Sequence, residues 1–217
     1  GYDVVISDPL YTVADFTFTP AAGATLVDGV IAATRTDAGT TNMGLDEDQF
    51  ANTNGNFANV TFDVTDGWQK INPINVTVTI TGHTDTKDYD GEAHTVTGYD
   101  VVISDPLYTV ADFTFSGDSI ARRTDVGTTN MNLAASQFTN TNNNFAHVTF
   151  NVTDGWQKIT PIDVVVTIKG DTNTTAYDGA EHTVTGYTAT ANNELYNVAT
   201  DFTFSGDSIA RRTDVGT

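Results

Sequence analysis

The run YDVVISDPLYTVADFTF stands at residues 2–18 and again at residues 99–115. TDAGTTNMG at 36–44 returns as TDVGTTNMN at 124–132, and VTFDVTDGWQKINPINVTVTI at 60–80 returns as VTFNVTDGWQKITPIDVVVTI at 148–168. DYDGEAHTVTGY at 88–99 returns as AYDGAEHTVTGY at 176–187. Over most of the chain the offset is 88 residues; it changes where residues 19–33 replace the shorter SGDSIAR of residues 116–122. A tandem array of one module packs mainly against its own neighbours, so the repeat limits the fold before any other signal is read. The 217 residues divide into the C-terminal part of one repeat (1–72), a complete repeat (73–160) and the N-terminal part of a third (161–217). Because the sequence opens and closes in mid-repeat, it is expected to be a stretch of a longer array.

The apolar pattern has a period of two. Val76, Val78 and Ile80 alternate with Thr77 and Thr79, and Val164, Val166 and Ile168 repeat the pattern. Phe113 and Phe115 flank Thr114, and Val148, Phe150 and Val152 alternate with Thr149 and Asn151. Such alternation places apolar groups on one face of a half-buried strand. Turn signals at Tyr89-Asp90-Gly91, Ser116-Gly117-Asp118 and Asp154-Gly155 separate the segments. The predicted class is all-β, as tandem immunoglobulin-sized β-sandwiches in an extended rod. Residues 131–138 admit either one helical turn with Asn130 as N-cap or a short loop, and the Asn-rich run 140–144 reads as an exposed connection. Pro73 and Pro161 sit between a closing strand and the next opening strand, where fixed φ and a missing donor suit a short, stiff link.

A net charge of −19 repels phosphate backbones, so nucleic acid is not an expected partner. The absence of cysteine removes disulfides, thiolate metal sites and thiol catalysis. No run is apolar enough to cross a bilayer as a helix. An acidic, cysteine-free, Thr- and Asn-rich repeat is what an extracellular location would lead one to expect.

Lys87-Asp88-Tyr89-Asp90-Gly91, followed by Val96-Thr97-Gly98-Tyr99, resembles the "YDG" motif of the mostly-β, glycine-rich repeats of bacterial surface proteins. Residues 124–128 are similar to the T-D-x-G-T segment of those repeats, and residues 144–161 to their closing strand pair. The resemblance implies immunoglobulin-like sandwiches strung as stalks in large adhesins, often anchored to Gram-positive walls. Lys87 is replaced by Thr175 in the next copy, and Trp68 and Trp156 stand where such repeats usually carry smaller residues. Some related surface domains carry a lysine–asparagine isopeptide bond; Lys70, Lys87, Lys158 and Lys169 are the only lysines here.

Candidate sites are few. Asp85, Asp88 and Asp90, with Gly91 following, are hard oxygen donors close in sequence and form the calcium candidate, although the distal Glu of a complete EF-hand loop is missing. Asp46, Glu47 and Asp48 form a second acidic cluster. Against the calcium reading, Tyr89-Asp90-Gly91 is a turn in its own right. Trp68 and Trp156 follow Asp-Gly turns and are the surface-binding candidates, either as packing at a repeat end or as stacking platforms for a sugar or a partner chain. His94 and His182 read as edge residues with no partner evident in sequence, and His83 and His147 have no counterpart in the other copy. No H-E-x-x-H, G-x-S-x-G or phosphate-loop pattern occurs, so no enzyme is expected. Asn59, Asn75, Asn151 and Asn173 open N-x-T sequons. The leading expectation is a structural spacer of an extracellular surface protein, without a cofactor unless calcium binds, whose partners are neighbouring repeats. The alternatives are a filament joined head to tail by strand complementation, or a module binding surface glycans or proteins.

Overall fold

In the computed structural model, which describes residues 1–216, the chain is mostly β, arranged in two- and three-stranded sheets with single 3-10 turns and no α-helix among the described residues. Residues 131–138 yield only the 3-10 turn Ala135–Gln137. Its cap position is Ala134, whose N–H donates to Gln137 Oε1 at 2.8 Å, while Asn130 ends the strand Gly127–Asn130. The expected Asn130 cap is therefore corrected: a strand claims that residue first.

The chain forms two compact units that do not coincide with the sequence repeats. One comprises Gly1–Ile80, Val101–Gly117 and Ala134–Val152; the other comprises Thr81–Asp100, Asp118–Leu133 and Thr153–Thr217. The complete repeat thus contributes to two cores.

The first unit holds most of a three-stranded sheet with Ile74–Gly82 at its centre, flanked by Tyr99–Ile103 and Phe145–Thr153. Val76, Val78 and Ile80 are almost completely buried, as the alternation requires. Each such side chain contributes roughly 1.5–3 kcal/mol on burial. The antiparallel pair Phe113–Phe115 with Phe138–Asn140 supplies an aromatic cluster. Tyr108 meets Phe145 edge-on with centroids 4.8 Å apart, and Phe150 meets Phe113 at 5.4 Å and Phe138 at 5.6 Å.

The first copy reproduces that cluster in the same unit. Tyr11–Phe57, Phe16–Phe62 and Phe50–Phe62 stand at 5.0, 5.5 and 5.6 Å, over the paired strands Phe16–Phe18 and Phe50–Asn52. Its extra residues form the hairpin Leu26–Val27 with Val30–Ile31, turned by Asp28 (φ 51°) and Gly29 (φ 78°). Positive φ at both turn positions is what a two-residue hairpin demands.

In the second unit Trp156–Thr160 lies between Gly127–Asn130, antiparallel, and Thr84–Asp88, parallel. The pair His94–Thr97 with Ile120–Arg123 belongs to the same unit, whose core includes Ala121, Met131, Leu133 and Ile159. The third copy adds Val166–Gly170 with Tyr187–Ala191, and His182–Thr185 with Ile209–Arg212.

Near-identical sequences take different structures in different copies. FAHVTFNVT at 145–153 is a nine-residue strand, whereas FANVTFDVT at 57–65 is coil. Residues 99–103 are a strand and the identical residues 2–6 are not; Thr84–Asp88 is a strand and residues 172–176 are not. Each coil segment lacks the strand that pairs with its counterpart in the complete repeat. Strand structure here follows the hydrogen-bonding partner rather than local propensity.

Candidate functional site

The most highly organised polar region lies where one repeat meets the next, inside the first unit. Arg35 precedes the bend 36–38, which leads into the strand Gly39–Asn42, and laces it shut. Its Nε donates to the Asp37 carbonyl at 2.7 Å, Nη2 to the Ala38 carbonyl at 2.7 Å, and Nη1 to the Thr40 carbonyl at 3.2 Å and Thr41 Oγ1 at 3.1 Å. Gly39 takes φ 132°, and a Cβ there would collide with the Arg35 guanidinium. Arg123 laces residues 124–128 in the same way, and Arg212 donates to the Asp214 and Val215 carbonyls. The T-D-x-G-T segment is thus a bend running into a strand, with three of its carbonyls satisfied by the preceding arginine.

Asn144 of the next repeat reaches the same bend. Its Oδ1 accepts from the Ala38 N–H at 2.6 Å, its Nδ2 donates to Asp37 Oδ1 at 3.0 Å, and its carbonyl accepts from the Ile74 N–H at 3.2 Å. One residue therefore touches both repeats, its side chain holding the Asp37-Ala38 bend of one and its backbone carbonyl the opening strand of the next, across the Pro73 link. Asn144 is itself positioned by an asparagine ladder. Asn142 Oδ1 accepts from the Asn144 N–H and Asn140 Oδ1 from the Asn142 N–H, each at 3.0 Å. Asn140 Nδ2 donates to the Asn142 and Phe145 carbonyls, and Asn142 Nδ2 to Asp112 Oδ1 at 2.8 Å. Tyr108, 2 % exposed, donates its hydroxyl to Asn140 Oδ1 and the Asp112 carbonyl at 3.0 Å. The Asn-rich run expected to be an exposed connection is instead a hydrogen-bonded spine with Asn140, Asn142 and Asn144 half-buried. Asparagine at every second position was the available signal, since Asx turns chain in that register. Asn52 and Asn54 repeat the ladder around Tyr11.

The Asn142 and Thr109 bonds hold the Asp112 carboxyl below the usual aspartate range, Asn142 having the largest effect. Asp90 is lowered by the Glu92 N–H and then by His94, and Asp178 by the Ala180 N–H and then by His182. These pairs, His94 Nε2 to Asp90 at 2.9 Å and His182 Nε2 to Asp178 at 3.0 Å, close the Y-D-G turn in both copies. Sequence reasoning saw no partner for either histidine, although the aspartate lies four residues upstream in each case. His83 is raised, first by its bond to Asp100 and then by the Thr97 carbonyl, which its Nδ1 meets at 2.8 Å.

The calcium candidates serve separate contacts. Asp85 lies 4.0 Å from Lys87 Nζ, Asp88 accepts from Thr160 Oγ1 at 2.6 Å, and Asp90 holds its turn. Among the described residues no three acidic or histidine side chains gather into a metal-holding group. Asp46 accepts from the Asp48 N–H within the 3-10 turn Glu47–Gln49. Trp68 is 62 % exposed, whereas Trp156 is half-buried beside Thr84, its register partner in the parallel strand that the first copy lacks. All four lysines are exposed, whereas a lysine that attacks an amide needs a desolvated site to lose its proton. The four sequon asparagines are exposed as well. No family model, curated protein or solved structure matches the chain.

Proposed function

We propose that this chain is a stretch of immunoglobulin-like β-sandwich repeats forming a structural spacer within a repetitive extracellular bacterial surface protein of the adhesin kind. The junction carries this reading. A two-residue Asn72-Pro73 link joins the strands Trp68–Ile71 and Ile74–Gly82; the Asn144 side chain holds Asp37 and Ala38 before it, and the Asn144 carbonyl accepts from the Ile74 N–H after it. A link of that length, with its loop groups hydrogen-bonded, resists bending, which is the mechanical property a spacer needs. The acidic surface keeps such an array soluble and self-repelling. A glycan-stacking role has weaker support, because Trp156 in the complete repeat is half-buried and only Trp68 stands free.

The test has two arms. Proteolysis at the 71–74 link should accelerate in Asn144→Ala while the aromatic core keeps its near-UV circular dichroism. Glycan and host-protein arrays should give no saturable binding to the intact chain. Saturable binding abolished by Trp68→Ala would replace the spacer reading with the binding one.

A further inference from the structure

The complete repeat leaves one long sheet edge without the usual protection. Phe145–Thr153 ends the three-stranded sheet in which Ile74–Gly82 is central and Tyr99–Ile103 lies on the other side. Among the described residues no strand pairs with its outer edge. An open edge presents unpaired N–H and C=O groups, and folded proteins blunt it with charges, proline, bulges or short length. Two other edges of this repeat follow that rule. Thr84–Asp88 carries Asp85, Lys87 and Asp88, and Tyr99–Ile103 is five residues long and carries Asp100. Phe145–Thr153, FAHVTFNVT, is nine residues long and holds no Asp, Glu, Lys, Arg or Pro, in a chain of net charge −19. The first copy has Asp63 at the position of Asn151, so the uncharged strand belongs to the complete repeat.

Burial along the strand points the same way. On the central strand Val76, Val78 and Ile80 are at most 2 % exposed. On the edge strand Val148, Phe150 and Val152 are only half-buried, although Phe150 meets both Phe113 and Phe138. The central strand has a neighbour on each side, whereas the edge strand has one. His147, Thr149 and Asn151, which alternate with the apolar residues, are exposed. The strand itself identifies what fits beside it. An antiparallel register with a second copy, centred on Thr149, sets Val148 opposite Phe150, His147 opposite Asn151 and Ala146 opposite Val152. All nine residues are then paired, and opposed residues share a face, so apolar positions meet apolar ones and polar positions meet polar ones. Aromatic–β-branched and Thr–Thr pairs are favourable cross-strand combinations, and no like charges face each other.

We infer that Phe145–Thr153 is a self-pairing edge, through which the complete repeats of two chains join about a two-fold axis at Thr149. Two three-stranded sheets then become one of six strands. The half-buried Val148 and Phe150 of each copy cover one another, which completes the burial that the edge position leaves unfinished. The contact is isologous and therefore closes on a dimer. It ties arrays together sideways, whereas the Asn144 junction acts along a single array. The inference does not rest on the spacer reading, since association is measured without reference to what the array carries.

The test is sedimentation of the intact chain across a wide concentration range, with variants at the axis. The unaltered chain should pass from monomer to dimer as concentration rises. Thr149→Lys and Thr149→Asp change an exposed side chain and set like charges face to face in the dimer. Each alone should weaken association by roughly fivefold or more, and an equimolar mixture should recover a one-to-one dimer because lysine then faces aspartate. A second measurement uses the absence of cysteine. Thr149→Cys should cross-link to its mate under mild oxidation, since directly opposed residues bring their Cβ atoms within about 4.5–5.5 Å. Thr77→Cys, exposed on the central strand, should not, because three strand spacings hold it about 14 Å from its mate. A chain that stays monomeric at every concentration overturns the inference. So does dimerisation that both charge variants leave unchanged while keeping native circular dichroism, or cross-linking of Thr77→Cys as fast as that of Thr149→Cys.

Discussion

Gly82 and Gly170 occupy the same position in successive repeats, yet their surroundings differ completely. A Cβ built on Gly82 would meet the Gly155 backbone nitrogen, the Gly155 Cα at 2.7 Å and Leu133 Cδ1 at 2.9 Å. The Leu133 methyl can rotate; the Gly155 backbone cannot, because Trp156 N–H donates to the His83 carbonyl and Met131 N–H to the Gly155 carbonyl. At Gly170 nothing lies within 4 Å. Gly82→Ala should therefore cost about 1–3 kcal/mol through overpacking. Gly170→Ala should stabilise by roughly 0.5 kcal/mol, because it restricts only the unfolded chain. Differential scanning calorimetry reads this as about 2–4 °C per kcal/mol for a chain of this size. Because the chain has two compact units, the shift should be assigned with Trp156 emission in a Trp68→Phe background rather than from a single transition. Equal effects of the two substitutions would refute the claim that the Thr84–Asp88 and Trp156–Thr160 pairing forces the Gly82–Gly155 approach.

Tyr108→Phe removes the hydroxyl from the Asp112 carbonyl and Asn140 Oδ1, and should cost about 1–3 kcal/mol in urea denaturation; Tyr11→Phe, in the less enclosed first copy, should cost less. For His83 the raised value means the fold favours the protonated ring. Its contribution is fully present below the ordinary histidine value of about 6.5 and is lost as pH rises through the folded value. His83→Gln should flatten that slope in denaturation curves taken across the range. Asp112 behaves in the opposite sense: its contribution is present above the ordinary aspartate range and is lost as pH falls through the lowered folded value, a loss that Asn142→Ala should reduce. Calcium titration should leave the melting temperature unchanged against chelator, because Asp85, Asp88 and Asp90 are committed to separate contacts; a calcium-dependent rise abolished by Asp88→Asn would revive the metal site.

The strands that sequence disclosed are those with an apolar face to alternate. Val76, Val78 and Ile80 declare a buried face, and the structure buries all three. Thr84–Asp88, TDTKD, has no apolar residue, so nothing local marks it as a strand; a parallel ladder to Trp156–Thr160 makes it one. The same limit explains the opposite fate of residues 57–65, whose pattern matches a strand but whose partner is missing. The functional contacts were hidden for a related reason. Arg35 and Arg123 act on backbone carbonyls, and Asn144 acts across a repeat boundary, 106 positions from Ala38. Neither relation leaves a periodic trace in sequence, whereas the His94–Asp90 pair, four residues apart in both copies, was open to view.

Amide hydrogen exchange at low protein concentration compares near-identical sequences in one molecule and so tests most directly whether the partner strand decides the structure. Residues 148–153 should exchange slowly, and residues 60–65 should exchange at rates close to those of an unstructured peptide until a peptide with the sequence of the central strand Ile74–Gly82, INVTVTITG, is added. Comparable protection of both segments in the free chain would show that the sequence holds its strand without a partner, and would contradict the account.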